Sequence, residues 1–148
     1  MAHEYKLSNQ YFTVYIENKG RRIVIELKSG VKASEHHTQL HRFVEKLHDS
    51  GVEHINADHI SLPYLDDSIS LWRGKRKLDC VYYKDGRIHE CELKTPYEVG
   101  LTRTYEQLAE QLKHCENLIL VTSRTAVENA KENLKLFKLE GIKIQTYD

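Results

Sequence analysis

One dipeptide, Asp85-Gly86, constrains this chain more than any other feature, because it sits between two apolar-rich runs, Cys80-Val-Tyr-Tyr-Lys84 and Arg87-Ile-His-Glu-Cys-Glu-Leu93. A two-residue Asp-Gly loop in that setting is the strongest short-range hairpin signal and predicts a type I′ turn. Register follows by counting outward. Lys84 falls opposite Arg87, Val81 opposite Glu90 and Asp79 opposite Glu92. Side chains alternate between faces along a strand, so Glu90, Glu92 and Lys94 share the face that carries Asp79. Hydrogen-bonded and non-hydrogen-bonded pairs also alternate, and Asp79/Glu92 is a non-hydrogen-bonded pair, where side chains approach most closely. Two carboxylates held opposite each other repel. A divalent cation between them removes that penalty, and a lysine two residues on stands at its edge. The pattern predicts a metal-dependent hydrolytic site.

A plainer reading is a salt-bridged strand face, with Lys94 pairing the acids for a gain of ~0–1 kcal/mol. The run Leu118-Ile-Leu-Val-Thr122 argues against it. A continuous apolar run marks a strand buried on both faces, which places the hairpin centrally, and two buried acids need more compensation than one lysine supplies.

The chain of 148 residues is expected to form one domain, with 30% charged and 40% hydrophobic residues. No apolar run approaches ~20 residues, so no membrane span is expected. Met1-Ala2-His3-Glu4-Tyr5-Lys6 lacks the apolar core of a signal peptide, and three cysteines without a CxxC pair suit a reducing cytosol. A cytoplasmic protein is expected. Cys80 and Cys91 face each other across the hairpin on the side away from Asp79, as packed thiols rather than a bridge. The balance of 22 basic and 22 acidic residues excludes a histone-like coat of positive potential. It leaves room for a local basic stripe, and Arg73-Gly74-Lys75-Arg76-Lys77 leads directly into Asp79.

Periodicity and turn signals place the remaining elements. Residues 11–17 and 21–28 form a hairpin turning at Asn18-Lys19-Gly20, and a helix runs from about Ala33 to Asp49. A short strand lies within 52–62, ended near Pro63. Residues 64–77 are mainly loop, with Asp66 and Asp67 as turn residues; Trp72 either stacks on a base or closes the loop against the core, and core closure is expected. After the hairpin come a helix over 102–115 with Leu108, Leu112 and Cys115 inward, the buried strand 118–122, a helix over 125–139 and an outer strand over 142–147. The last third therefore supplies parallel crossovers to a sheet begun by antiparallel strands. A second triplet, Glu26-Leu27-Lys28, differs by register: Tyr11, Phe12 or Thr13 stands opposite Glu26, never an acid. Nine histidines, His37 and His41 among them, come without HExxH or finger spacing and are expected to be exposed or helix-flanking.

With Asp79 and Glu92-Leu93-Lys94 on one hairpin, the chain resembles the PD-(D/E)XK nuclease superfamily, and most of all the archaeal Holliday-junction resolvases. The Lys84-Asp85-Gly86 turn, the basic segment Arg73 to Lys77 and the Glu106-Gln107 pair opening the next helix carry the finer likeness, which spans about residues 33–122. The resemblance implies an α/β, restriction-endonuclease-like mixed sheet flanked by helices. Residues 1–30 would be an added N-terminal β-hairpin and 123–148 a helix-strand extension. It further implies that Asp79, Glu92 and the backbone carbonyl of Leu93 hold Mg²⁺ (or Mn²⁺), and that Lys94 orients or helps deprotonate a water. Gln107 would hold water or phosphate, while Arg73, Lys75, Arg76, Lys77 and Arg103 contact DNA, with Tyr105 a weaker candidate. Glu90 is expected as a solvated neighbour. Two positions depart from the family. Leu78 stands where a proline usually precedes the aspartate, and Leu40 stands where resolvases carry a glutamate on the first helix. Glu35, over a turn earlier, is the acid left to supply a third ligand.

The expected activity is endonucleolytic hydrolysis of branched or junction DNA by a homodimer, with no organic cofactor. Three alternatives remain open at this point. One is a related nuclease acting on ends, flaps or damaged duplex. Another is a catalytically silent nucleic-acid-binding module of the same fold, and the last is a metal-free RNA-processing endonuclease.

Overall fold

Three short strands open the chain, β1 (Tyr5–Ser8), β2 (Phe12–Glu17) and β3 (Arg22–Leu27), pairing antiparallel as a sheet of their own in the order β1-β2-β3. The β2–β3 pair is the expected hairpin, and Thr13 faces Glu26. Among the described residues no acid opposes Glu26 or Leu27. β1 pairs along β2 with Tyr5 opposite Ile16, so the N-terminal sheet has three strands rather than the two expected. In the computed structural model the described residues are 5–8, 12–17, 22–27, 35–58 and 69–148, the first three segments as backbone. The turn at Asn18-Lys19-Gly20, the helix start at 33–34, Pro63, Asp66 and Asp67 lie outside the described residues.

A second sheet has five strands, and a third has two. The remaining elements follow in the order α1 (Glu35–Asp49), β4 (His54–Ala57), β5 (Trp72–Arg73), β6 (Arg76–Lys77), β7 (Cys80–Lys84) and β8 (Arg87–Leu93). Next come α2 (Pro96–Val99), α3 (Thr102–Leu112), β9 (Leu118–Thr122), α4 (Val127–Leu136) and β10 (Lys143–Thr146). Strand order in the five-stranded sheet is β10-β9-β8-β7-β4, with β4, β7 and β8 antiparallel and β8, β9 and β10 parallel. The fold is therefore α/β, a mixed sheet flanked by helices. Among the described residues no helix is long and apolar enough to cross a membrane.

The sheet separates two cores. On one side Leu40, Phe43, Val44 and Leu47 of α1 pack on Ile55, Cys80, Tyr82, Cys91, Leu93, Ile119 and Val121. On the other, Tyr105 and Leu108 of α3 and Ala130 and Leu134 of α4 cover Val81, Leu118 and Leu120. All five residues of β9 are buried, as a strand between two parallel neighbours requires. Cys80 and Cys91 are register partners and free thiols in the α1 core. Burial pushes both thiols well above their ordinary range, so they remain protonated.

The Asp85-Gly86 turn sets the β7–β8 register as counted: Lys84 pairs with Arg87, Val81 with Glu90 and Cys80 with Cys91. Both turn residues take positive φ, 53° and 76°. A Cβ on Gly86 would meet only the Tyr83 hydroxyl, at 4.0 Å. Gly86→Ala therefore tests backbone strain alone. It should cost about 1–2 kcal/mol, the left-handed penalty of one L-residue, read as a lower urea midpoint at unchanged slope.

Residues 72–77 are not loop. β5 and β6 form a two-stranded hairpin through Gly74 and Lys75, with Trp72 opposite Lys77 and Arg73 opposite Arg76. Gly74 has φ 61°, as the first central position of a type II′ turn demands. Trp72 does not close against the core either; it is 58% exposed. On α3 the inward residues are Thr104, Tyr105, Leu108 and Gln111, while Leu112 is exposed.

Candidate active site

The ladder of β7 and β8 ends at Cys80–Cys91, and the chain bends at Asp79. The cause lies one residue back, where the Leu78 N–H donates to the Leu71 carbonyl at 2.8 Å, at the base of the β5–β6 hairpin. Continued antiparallel pairing would have joined Leu78 to Leu93. The Asp79 carboxylate fills the gap, its Oδ2 accepting the Leu93 N–H at 2.8 Å. The Leu93 carbonyl is left without the ladder donor that Leu78 would have supplied. Asp79 is anchored at its backbone too, since its carbonyl accepts from the Asp58 N–H at 2.9 Å.

Glu92 projects from β8 toward α3 and is 8% exposed. Its Oε1 is buried with no hydrogen-bond partner, an arrangement that native interiors avoid. Burial first, and then the charge of Asp79, push its carboxyl above the ordinary range, while Lys94, Gln111 and Arg76 pull it back only in part. Asp79 is raised for the same leading reason, burial, against the Leu93 N–H and Lys94; Asp58 and Glu98 add to the rise. The register pair expected of Asp79 and Glu92 is therefore not formed, since the ladder stops one pair short of it, but the charge of Asp79 still acts on Glu92.

Lys94 stands at their edge. Its Nζ donates to Gln107 Oε1 at 3.1 Å and lies 3.9 Å from Glu98 Oε2. Gln107 reaches this position from the first turns of α3, as the sequence suggested. Glu98 arrives by a capping box that the sequence reading passed over: Thr95 N–H donates to Glu98 Oε1 at 3.0 Å, and Glu98 N–H to Thr95 Oγ1 at 3.2 Å. Thr-x-x-Glu after a strand was the available signal. Gln111, one turn beyond Gln107, was also missed; it is buried and turned toward Glu92.

From the first helix, the side chain that meets the acids is His36, whose Nε2 is 3.1 Å from Asp79 Oδ1. Glu35 is occupied by Gln39, whose Nε2 donates to it at 3.1 Å, and Leu40 is a core residue at 1% exposure. Nothing in the sequence separated His36 from the other histidines. His41 is not exposed as expected; burial pushes its pKa down to about 4.

Glu90 corrects a second expectation. It is buried, not solvated: Arg73 Nε donates to its Oε2, while the Glu116 and Asn117 N–H groups donate to its Oε1 at 2.8 and 3.0 Å. Burial alone would raise its pKa, but Arg73 and the two amides outweigh it and hold the carboxyl below the ordinary range. Two acids on one strand face thus have opposite fates. Arg73 is consequently engaged with the protein's own carboxylate and not presented outward. Lys77 pairs with Asp58 at 2.9 Å. Lys75, Arg76 and Arg103 are exposed. Tyr105 is core, with its hydroxyl donating to the Val99 carbonyl.

Among the described residues no three His, Cys, Asp or Glu side chains converge as a ready-made metal site. The donors at this end of the sheet are the Asp79 and Glu92 carboxylates and the Leu93 carbonyl, with Lys94 alongside. No family model, no curated protein and no solved structure matches the chain.

Proposed function

We propose that the chain is a divalent-metal-dependent DNA endonuclease of the PD-(D/E)XK type, with a restriction-endonuclease-like core and resolvase-like preference for branched DNA, acting as a homodimer. The observation that carries this reading is the Glu92 carboxylate, buried against Asp79 with an unpartnered oxygen. That arrangement costs free energy in the protein alone and loses its cost when a cation is shared. The donor set suits Mg²⁺, a hard cation that takes one or two carboxylates and keeps several waters. Asp79, Glu92 and the Leu93 carbonyl would hold it. When bound, such an ion lowers the pKa of a coordinated water and offsets charge on the phosphate oxygens.

The protein's own groups do the rest. Gln107 and Glu98 fix the Lys94 ammonium beside the acids, so that its N–H donors meet negative charge as it develops on the phosphate. Glu90 and Arg73 hold the hairpin that carries Arg76 near Glu92. Phosphate contacts from Lys75, Arg76 and Arg103 would be salt-dependent and indifferent to sequence.

A second reading has its own support. His36 and Leu40 stand where a helix acid was expected, which favours a silent DNA-binding module of the same architecture. Cleavage assays on a four-way junction, flaps, duplex and single strands with Mg²⁺ or Mn²⁺ separate the two. Wild type should cut, and Asp79→Asn or Glu92→Gln should slow cutting about a hundredfold or more, the equivalent of about 2.7 kcal/mol in the barrier. Tight binding without any cutting supports the silent module. Full activity in both variants would dismiss this site.

A further inference from the structure

The geometry points to the β5–β6 hairpin as a grip for an unpaired nucleobase, with the Trp72 indole as stacking surface and Lys75 and Arg76 facing the flanking phosphates. The inference rests on the nuclease reading and adds a substrate class to it: DNA presenting unpaired nucleotides beside the bond that is cut.

Every neighbour of Trp72 is pinned. Leu71 and Leu78 are buried on either side of the hairpin and joined by the Leu78 N–H to Leu71 carbonyl bond. Arg73 turns inward to Glu90, and its Nη1 donates to the carbonyls of Ser70 and Trp72, both at 2.8 Å. Gly74 lies so close to the end of α3 that a Cβ there would come within 3.2 Å of the His114 ring. Because Arg73 faces the sheet, alternation turns Trp72 the other way. The indole is left 58% exposed on a rigid mount.

A single exposed apolar side chain is ordinary on a protein surface. This one differs in its surroundings. Lys75 and Arg76, at the turn beside it, are exposed and make no ion pair among the described residues. Arg76 acts electrostatically on Glu92. On the other edge, Lys77, the cross-strand partner of Trp72, bonds Asp58, whose N–H holds the Asp79 carbonyl. The hairpin therefore adjoins both carboxylates of the site. An aromatic face flanked by cations is the recurring apparatus for single strands, since every base has a π-face and stacking is tolerant of sequence. Inside a duplex those faces are covered by neighbouring bases. Net charge is zero across the chain, so no general positive field would replace such a local grip.

Trp72 is the chain's one tryptophan, and its emission reports this position alone. The test uses wild-type protein in EDTA, so that nothing is cut, with labelled oligothymidine, a blunt duplex of equal length and the same duplex with a single-stranded tail. Emission should be strongly quenched at saturation by oligothymidine and the tailed duplex, and little changed by the blunt duplex. Trp72→Ala should weaken oligothymidine binding about tenfold, in keeping with loss of one stacked base. Blunt-duplex binding and the melting temperature should stay unchanged, and Trp72→Phe should restore most of the affinity. Lys75→Ala and Arg76→Ala should each flatten the salt dependence by just under one unit of slope. Unquenched emission at saturation, equal losses on duplex and single strand, or single-strand binding indifferent to Trp72→Ala would each overturn the grip while leaving the nuclease reading intact. Failure to bind any of the three DNAs, in EDTA and again with Ca²⁺ in its place, overturns both.

Discussion

Glu90→Ala should lower the stability of the fold by about 3–5 kcal/mol, the range for breaking a buried ion pair from one side. The Glu90 side chain is 4% exposed and that of Arg73 16%, so little water reaches either group. Alanine would strand the guanidinium of Arg73 and remove the acceptor of the Glu116 and Asn117 N–H groups. Three elements meet at that carboxylate: β8, the β5–β6 hairpin and the segment entering β9. Chemical denaturation of Glu90→Ala, Arg73→Met and the double variant Glu90→Leu/Arg73→Met gives the reading. The double variant should recover much of the loss, because removing both partners strands no charge. A loss below about 1 kcal/mol in Glu90→Ala would mean a pair no stronger than an exposed one.

Glu92→Gln and Asp79→Asn should act in the opposite sense, raising the stability of the metal-free protein near neutral pH. Both carboxyls are raised above their unfolded values, chiefly by burial. A group whose folded pKa is raised contributes stability that is complete below the unfolded pKa, about 4, and is lost as pH climbs through the folded value. Wild type in EDTA should therefore melt at lower temperature at pH 8 than at pH 5. The amide variants cannot ionise, so their melting temperatures should vary less over that window. Each raised pKa unit corresponds to about 1.4 kcal/mol, so a gain on the order of 2–3 kcal/mol at pH 8 is expected for Glu92→Gln. Saturating Mg²⁺ should stabilise wild type and leave the variants almost unmoved. Variants less stable than wild type at pH 8 would contradict the mutual burial of the two acids.

What the sequence made legible was whatever local geometry determines. A two-residue loop permits only one register, so the partners of Lys84, Val81 and Cys80 could be counted, and so could the absence of an acid opposite Glu26. The uniform burial of β9 and the edge position of β10 followed from continuous against alternating apolar patterns. The bend at Asp79 was not legible, because it depends on Leu78 pairing with Leu71 at the base of the β5–β6 hairpin rather than with Leu93, and no pattern in the sequence says which of the two hairpins takes Leu78. Gly74-Lys75 did carry a turn signal, but flanking basic residues obscured the strands around it. On α3, periodicity favoured Leu112 over Gln111; the pull of Glu92 and the Gln107 contact with Lys94 instead turn the helix's polar stripe inward. The contact of His36 with Asp79 depends on where α1 docks, which no spacing in the chain reveals.

The alternation of thiols and acids across β7 and β8 has a consequence for folding as well. A slip of one residue in the pairing would carry Glu90, Glu92 and Lys94 into the face that meets Phe43 and Leu47, and would turn Cys91 and Leu93 toward α3. No compromise between those arrangements exists, since the penalty reverses at every position along the strand. The acids that make the site costly to assemble thus also act as a proofreading device, admitting the hairpin to the sheet in a single alignment.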